Sequence, residues 1–156
     1  MLLGDKLKYH IELMTQIDAE EIVYWHYEGI YAFYDLVSDE EDLQEFLYDR
    51  RNRYYTVRHN QELIGYFSFT LEEKTLEIGL GLRPDLTGKG MGLDFITTGL
   101  QYALDHFSPQ LITLSVASFN IRAIKVYQKL GFKEESRFNN ETNGGIYEFI
   151  KMIYPI

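Results

Sequence analysis

Residues 78–96 read IGLGLRPDLTGKGMGLDFI. The run TLEIGLGL (75–82) has the composition of a strand. It leads through Pro84 to TGKGMG (87–92), where three glycines stand at alternate positions. A helix-periodic run follows, with Leu93, Ile96, Leu100 and Ala103 on one face. Glycine costs backbone entropy, so three so close together indicate that the backbone itself is used.

Two familiar nucleotide loops fail on spacing. A P-loop needs G-x-x-x-x-G-K-[ST], but Gly88-Lys89 is followed by Gly90 and Arg83 stands at the first glycine position. A dinucleotide fingerprint needs G-x-G-x-x-G early in a βαβ unit, and Gly88, Gly90 and Gly92 are spaced differently. A plain glycine-rich turn explains one or two of the glycines and leaves the third over. An anion cradle explains all three: successive N–H groups at a helix start face a phosphate, the helix dipole assists, and Lys89 adds charge at the rim.

Working outward, LKYHIEL (7–13) alternates as a first strand through Leu7, Tyr9, Ile11 and Leu13. Thr15 and Asp18 resemble a helix start, and Ile17 to Tyr34 reads as one aromatic helix with Tyr24, Tyr27, Tyr31 and Tyr34 as a stripe. Ser38 and Glu41 form a capping box for a second helix through Leu43, Phe46 and Leu47. YYTVRH, ELIGYFSFTL and TLEIGLGL, joined at Asn60-Gln61 and Glu72-Glu73-Lys74, form an antiparallel meander. LITLSV (111–116) is apolar enough for a buried central strand. A helix runs from Asn120 to Leu130 with Gly131 at its end, and a hairpin around NNETNGG closes the chain. The order is β-α-α-β-β-β-α-β-α-β-β in a single domain, residues 1–156. The strand–loop–helix–strand unit from Thr75 to Val116 is expected to be a parallel crossover.

Composition narrows the class. With 156 residues, 46% of them apolar, one domain with a full core is expected. No apolar run is long enough for a transmembrane helix, and MLLGDKLKYH does not have the pattern of a secretory signal. Cysteine is absent, which removes disulfides, a thiol nucleophile and cysteine-ligated metal; a cytoplasmic location fits. The net charge of −9 speaks against a nucleic-acid surface and suits solubility or a cationic partner. The four histidines, at 10, 26, 59 and 106, have no ligand spacing, so no metal is expected.

The 78–96 stretch resembles the cofactor motif [Q/R]-x-x-G-x-[G/A] of the GNAT superfamily of acetyl-CoA-dependent N-acetyltransferases, with Gly90 and Gly92 in place and Pro84 at the familiar offset. NIRAIKVYQKLGF (120–132) resembles the family's N-x-x-A-x-x-x-Y-x-x-x-G-F segment at Asn120, Ala123, Tyr127, Gly131 and Phe132. The close resemblance covers Thr75 to Phe132; before it, only the element order matches. It departs at Thr87, where the family has Gln or Arg.

The resemblance implies a GNAT-like fold: a mixed α/β (α+β), mostly antiparallel sheet of about seven strands flanked by about four helices. It also implies transfer of acetyl from acetyl-CoA to a primary amine. Leu80, Gly81 and Leu82 would bind pantetheine, with the Leu82 N–H as oxyanion donor. Thr87, Gly88, Lys89, Gly90, Met91 and Gly92 would cradle pyrophosphate, Lys89 compensating for Thr87, and Asn120 and Ala123 would complete the cofactor site. Tyr127 would protonate the leaving thiolate, and Glu77 or water would be the base. Gly79 and Gly81 fit either close ligand approach or tight packing.

The first two helices would wall the amine site, with Trp25, His26, Tyr27, Glu28, Tyr31, Tyr34 and Asp35 as candidates, Trp25, Tyr27, Glu28 and Tyr31 foremost. Packing on the sheet is the alternative for the tyrosines, and His26 reads as a surface or hydrogen-bonded histidine. The acceptor is a small-molecule or peptide amine, and nucleic acid and membrane are not expected partners. Without cysteine, and with no serine–histidine pair, direct attack in a ternary complex is expected. The family often dimerises, so a homodimer is a further expectation. Two other readings stay open: a non-catalytic acyl-CoA-binding or sensing module of the same fold, which would have no use for an acid at Tyr127, and a protein-interaction domain whose glycine loop is only a turn.

Overall fold

A computed structural model describes residues 9–156; the expected strand position Leu7 lies outside the described residues. The strands are β1 (Tyr9–Leu13), β2 (Tyr54–His59), β3 (Glu62–Glu72), β4 (Thr75–Leu82), β5 (Leu111–Ala117), β6 (Lys133–Thr142) and β7 (Gly145–Pro155). The helices are α1 (Gln16–Ile22), α2 (Glu40–Tyr48), α3 (Gly92–Phe107) and α4 (Ile121–Leu130). The sheet runs β1-β2-β3-β4-β5-β7-β6, antiparallel except for β4 against β5. The element order and the mixed sheet are those expected.

Local chemistry sets most boundaries. The Thr15 hydroxyl accepts from the Asp18 N–H at 3.2 Å and opens α1. Asn60 and Gln61 both take positive φ, 50° and 71°, the geometry that closes a two-residue hairpin. Asn143 and Gly144, at 52° and 76°, do the same between β6 and β7.

Two expectations are corrected. The helix start before α2 is Asp39, whose carboxylate accepts from the Asp42 N–H at 3.1 Å, not a Ser38–Glu41 box. The long aromatic helix over 17–34 does not exist. α1 ends at Ile22, Glu28 is extended, Gly29 takes φ 59°, and a 3₁₀ segment runs Gly29–Tyr34. The tyrosine periodicity misleads because each ring serves a different neighbour, as described below.

Alternation along β3 separates two apolar layers. Phe67 and Phe69 pack with Phe95, Leu100 and Ala103 of α3, and Tyr127 of α4 joins that core. Tyr66 turns the other way, toward Met14, Ala19, Ile22 and Phe46 of the α1–α2 layer. Gly99 lets α3 lie directly on the Phe67 ring, which a Cβ would strike. That fixes the helix following the glycine loop against the sheet. Among the described residues no helix is long and apolar enough to cross a membrane.

Candidate active site

The parallel pairing of β4 with β5 is short. It covers Thr75–Glu77 against Leu111–Thr113 and then stops, although both strands continue. The Arg83 N–H donates to the Ile64 carbonyl at 2.7 Å, which sets the phase of the β3–β4 ladder. Antiparallel pairs alternate, so Leu80 and Leu82 turn their N–H and C=O groups away from β3 and into the gap. The Leu82 carbonyl accepts from the Tyr27 hydroxyl at 2.8 Å. Among the described residues no β5 partner reaches the Leu80 backbone or the Leu82 N–H. Backbone polar groups inside a sheet are almost always paired, so this opening suits an extended, amide-bearing ligand.

Gly79 and Gly81 face side chains of the neighbouring strand β3. A Cβ on Gly81 would enter the Tyr66 ring, and one on Gly79 would meet the Ser68 hydroxyl. The cross-strand contacts support the packing reading, and close approach of a ligand to the same strand is compatible with them. Glu77 stands at the closed end of the gap, exposed, in a groove with Thr70, Glu72, Glu73, Thr75 and Thr113. Five residues of strand, roughly 17 Å, separate it from Leu82.

The glycine loop lies at the open end, between Pro84–Leu86 and α3. Gly88 and Gly90 take φ 71° and 80°, values side chains rarely adopt. Beside Gly90 there is open space, with no heavy atom within 4 Å of where a Cβ would stand. Met91 offers α3 no side-chain cap, so the first N–H groups of the helix are left for a ligand or water. The loop therefore fits an anion. Thr87 does not reach into it: its hydroxyl donates back to the Pro84 carbonyl at 2.7 Å. Lys89 is exposed and helps hold the Asp85 carboxyl below its ordinary range, after the larger effect of the Arg83 hydrogen bond. The cation against the loop is Arg122, which the motif match passes over because the family pattern leaves that position free; its Nη1 lies 3.2 Å from where a Gly88 Cβ would be.

The downstream motif is explained by helix chemistry. Asn120 caps α4, its Oδ1 accepting from the Ala123 N–H at 3.2 Å, while its Nδ2 donates to the Tyr34 hydroxyl at 3.1 Å. At the other end the Phe132 N–H returns to the Tyr127 carbonyl at 3.0 Å and Gly131 takes φ 112°. Those bonds are a Schellman closure, which needs glycine there and an apolar residue next. The Tyr127 ring is 6% exposed and packs edge-on to Phe132. Its hydroxyl has no hydrogen-bond partner among the described residues. Burial, then the nearby Tyr34, pushes its pKa above the ordinary tyrosine value.

The amine-side candidates disperse. Trp25 packs into the α1–α2 layer, its ring 6.5 Å from Tyr66. Tyr24 is exposed. Tyr27 bonds Leu82, Tyr31 lies under Arg122 with 4.2 Å from Cζ to ring centroid, and Tyr34 bonds Asn120. Glu28 is exposed beside His26. His26 Nδ1 lies 2.6 Å from the buried Asp35, whose other oxygen accepts from the Tyr27 N–H at 2.8 Å. The β6–β7 turn closes over this segment: the Asn143 amide donates to the Phe33 carbonyl at 2.6 Å, and its N–H to Asp39 at 3.1 Å. These last contacts join positions more than a hundred residues apart and leave no local sequence signal. Among the described residues no group of three or more His, Asp or Glu side chains is placed to hold a metal.

The sequence profile of the Acetyltransferase (GNAT) family matches residues 19–132. The chain belongs to that family. It is an acyltransferase of the N-acetyltransferase class, with the fold and motif order expected of a GNAT protein. Among named relatives, the spermidine N(1)-acetyltransferase of Vibrio cholerae is 26% identical over 136 residues, 84% of this chain and 77% of the relative. The peptidyl-lysine N-acetyltransferase YjaB of Salmonella typhimurium is 26% identical over 143 residues, 88% of this chain and 92% of that one. Among solved structures, a Vibrio cholerae spermidine N-acetyltransferase in complex with CoA and spermine superposes with a TM-score of 0.76 at 22% identity, covering 96% of both chains. A GNAT-family acetyltransferase from Bacillus anthracis gives 0.74 at 17% identity over 95% of both. These two likenesses concern the fold.

Proposed function

We propose that this GNAT protein transfers the acetyl group of acetyl-CoA to a primary amine of a small polyamine, by direct attack in a ternary complex, as a cytoplasmic enzyme. The observation that carries the reading is the gap between β4 and β5, with the Leu80 backbone and the Leu82 N–H unpaired on one side and the glycine loop at its mouth. Pantetheine amides suit that unpaired edge, and pyrophosphate suits the Gly88–Gly92 loop, with Asn120 and Ala123 at the start of α4 alongside.

Each residue then has a defined task. The N–H groups of Leu80 and Leu82 are the donors available to the thioester oxygen as charge builds on it. The amine nitrogen bonds to the acetyl carbon, the carbon–sulfur bond breaks, and the thiolate takes the Tyr127 proton. A phenol, with an ordinary pKa of about 10, is protonated at neutral pH, so the proton is available when the thiolate forms. The proton lost by the amine passes to water, with Glu77 as the carboxylate at the closed end of the gap. Tyr27, Glu28 and Tyr31 line the acceptor side, while Trp25 supports it from the core. The buried phenol on α4 argues for catalysis over acyl-CoA sensing, which has no use for an acid there.

A polyamine acceptor is supported by the named activity of the Vibrio cholerae relative and by the net charge of −9. A Vibrio cholerae spermidine N-acetyltransferase has also been solved as a dodecamer, and a homo-oligomer belongs to the same reading. Calorimetry with acetyl-CoA, followed by a thiol-release assay over polyamines, aminoglycosides, amino acids and lysine peptides, tests it. Acetyl-CoA binding with turnover on spermidine or spermine is expected. Binding without turnover on any amine would favour the sensing module.

A further inference from the structure

The glycine motif lacks its usual long side chain at Thr87, and the Thr87 hydroxyl is spent on the Pro84 carbonyl. A cation nevertheless stands at the loop. Arg122 reaches from the first turn of α4 so that its guanidinium abuts Gly88. It lies over the Tyr31 ring, with Cζ 4.2 Å from the centroid. A cation–π contact holds a guanidinium in place without using its N–H donors. Among the described residues Arg122 has no hydrogen-bond or ion-pair partner, although the chain carries 24 acidic residues.

Its position is also unfavourable for the helix alone. The first turn of α4 contains no acidic residue, and a cation there opposes the helix dipole. A bound anion removes that conflict. A guanidinium fork suits a phosphate better than an ammonium does, because two N–H bonds form in one plane.

We propose that Arg122 is the cation of the pyrophosphate seat, held by Tyr31 and standing in for the side chain that Thr87 does not provide. The inference rests on the acetyl-CoA reading above. Through Tyr31 it also joins the cofactor loop to the Gly29–Tyr34 segment, so that the anion and the acceptor wall share one side chain.

The test is equilibrium binding by calorimetry, independent of turnover. Arg122→Ala is expected to weaken acetyl-CoA by about ten- to hundredfold while the apo protein keeps its melting temperature. Arg122→Lys should recover part of the loss. Thr87→Arg placed in the Arg122→Ala background should recover most of it. The loss should persist with dephospho-acetyl-CoA, which lacks the 3′-phosphate, and vanish with acetyl-pantetheine, which lacks the pyrophosphate. Unchanged acetyl-CoA affinity in Arg122→Ala overturns the assignment. So does a loss that disappears with dephospho-acetyl-CoA, or a double variant that regains nothing. A wild-type protein that binds no acetyl-CoA overturns the functional reading instead, and is recognised before any variant is made.

Discussion

The Tyr27 hydroxyl donates to the Leu82 carbonyl at 2.8 Å across 55 positions of sequence. That bond pins the segment after α1 to the end of β4, at the mouth of the gap. In the proposed reading it holds the acceptor wall in register with the strand edge that would face the thioester. Tyr27→Phe keeps the ring and removes the bond. It should cost about 1 kcal/mol, read as a fall in Tm of roughly 2–4 °C. The acceptor KM should rise more than the acetyl-CoA Kd. Equal shifts in both would mean that Tyr27 serves stability only.

Tyr127 is the buried phenol next to Tyr34. Tyr127→Phe should lower kcat by about 10²–10⁴ and leave acetyl-CoA affinity within about twofold. Steady-state kinetics beside calorimetry separates the two effects. Undiminished turnover would assign the proton to water.

Gly90 has φ 80° and open space on its side-chain side. Both Gly90→Ala and Gly90→Asp should cost roughly 1–2 kcal/mol of stability from the left-handed backbone. Only Gly90→Asp should abolish acetyl-CoA binding, because its carboxylate enters the anion seat. Matched binding losses in the two variants would point to backbone strain as the whole cause.

His26 is held above its ordinary pKa by the hydrogen bond to Asp35, then by the Asp35 charge, with a smaller contribution from Glu28. A raised folded-state pKa stabilises the fold fully below about pH 6.5, and that stabilisation is lost as pH rises through the raised value. The Tm difference between wild type and His26→Gln should be largest near pH 5.5 and shrink on the alkaline side. A difference that is flat from pH 5.5 to 8.5 would show that the pair contributes nothing through titration.

Asp39 caps α2 and also holds the β6–β7 turn through Thr142 and the Asn143 N–H. Asp39→Ala should cost about 1–2 kcal/mol in urea denaturation, and Asp39→Asn less, since Asn is also a good cap. The hydrogen bond from the Asn143 N–H, followed by that from Asp42, holds its carboxyl below the ordinary value. The wild-type advantage over Asp39→Ala should therefore be present above about pH 4 and fade as pH falls through the lowered pKa.

What is legible in the sequence is what a few neighbouring residues decide. The Asn120 cap and the Gly131–Phe132 closure lie within the helix they bound. The positive φ of Asn60, Asn143 and Gly144 in the two turns, and of Gly88 and Gly90, belongs to residues whose chemistry favours or tolerates those angles. Alternation and helical periodicity then yield the element order, and the two motifs yield the family.

The aromatic segment after α1 misleads because its spacing mimics a helical stripe. Its rings are claimed by Leu82, Arg122 and Asn120, all remote in sequence, and the backbone follows them out of the helix. The neighbours of Gly79 and Gly81, Ser68 and Tyr66, lie on the adjoining strand and are not readable from the glycines' own run. The gap depends on where pairing between β4 and β5 stops, which no run within either strand encodes. Sequence by itself determined the strands, the order of the elements and the glycine loop before α3, because local backbone preferences act over a few residues. Tertiary structure alone decided the strand edge, the Tyr27–Leu82 tie and the place of Arg122, because each is a contact between segments that meet only when the chain folds.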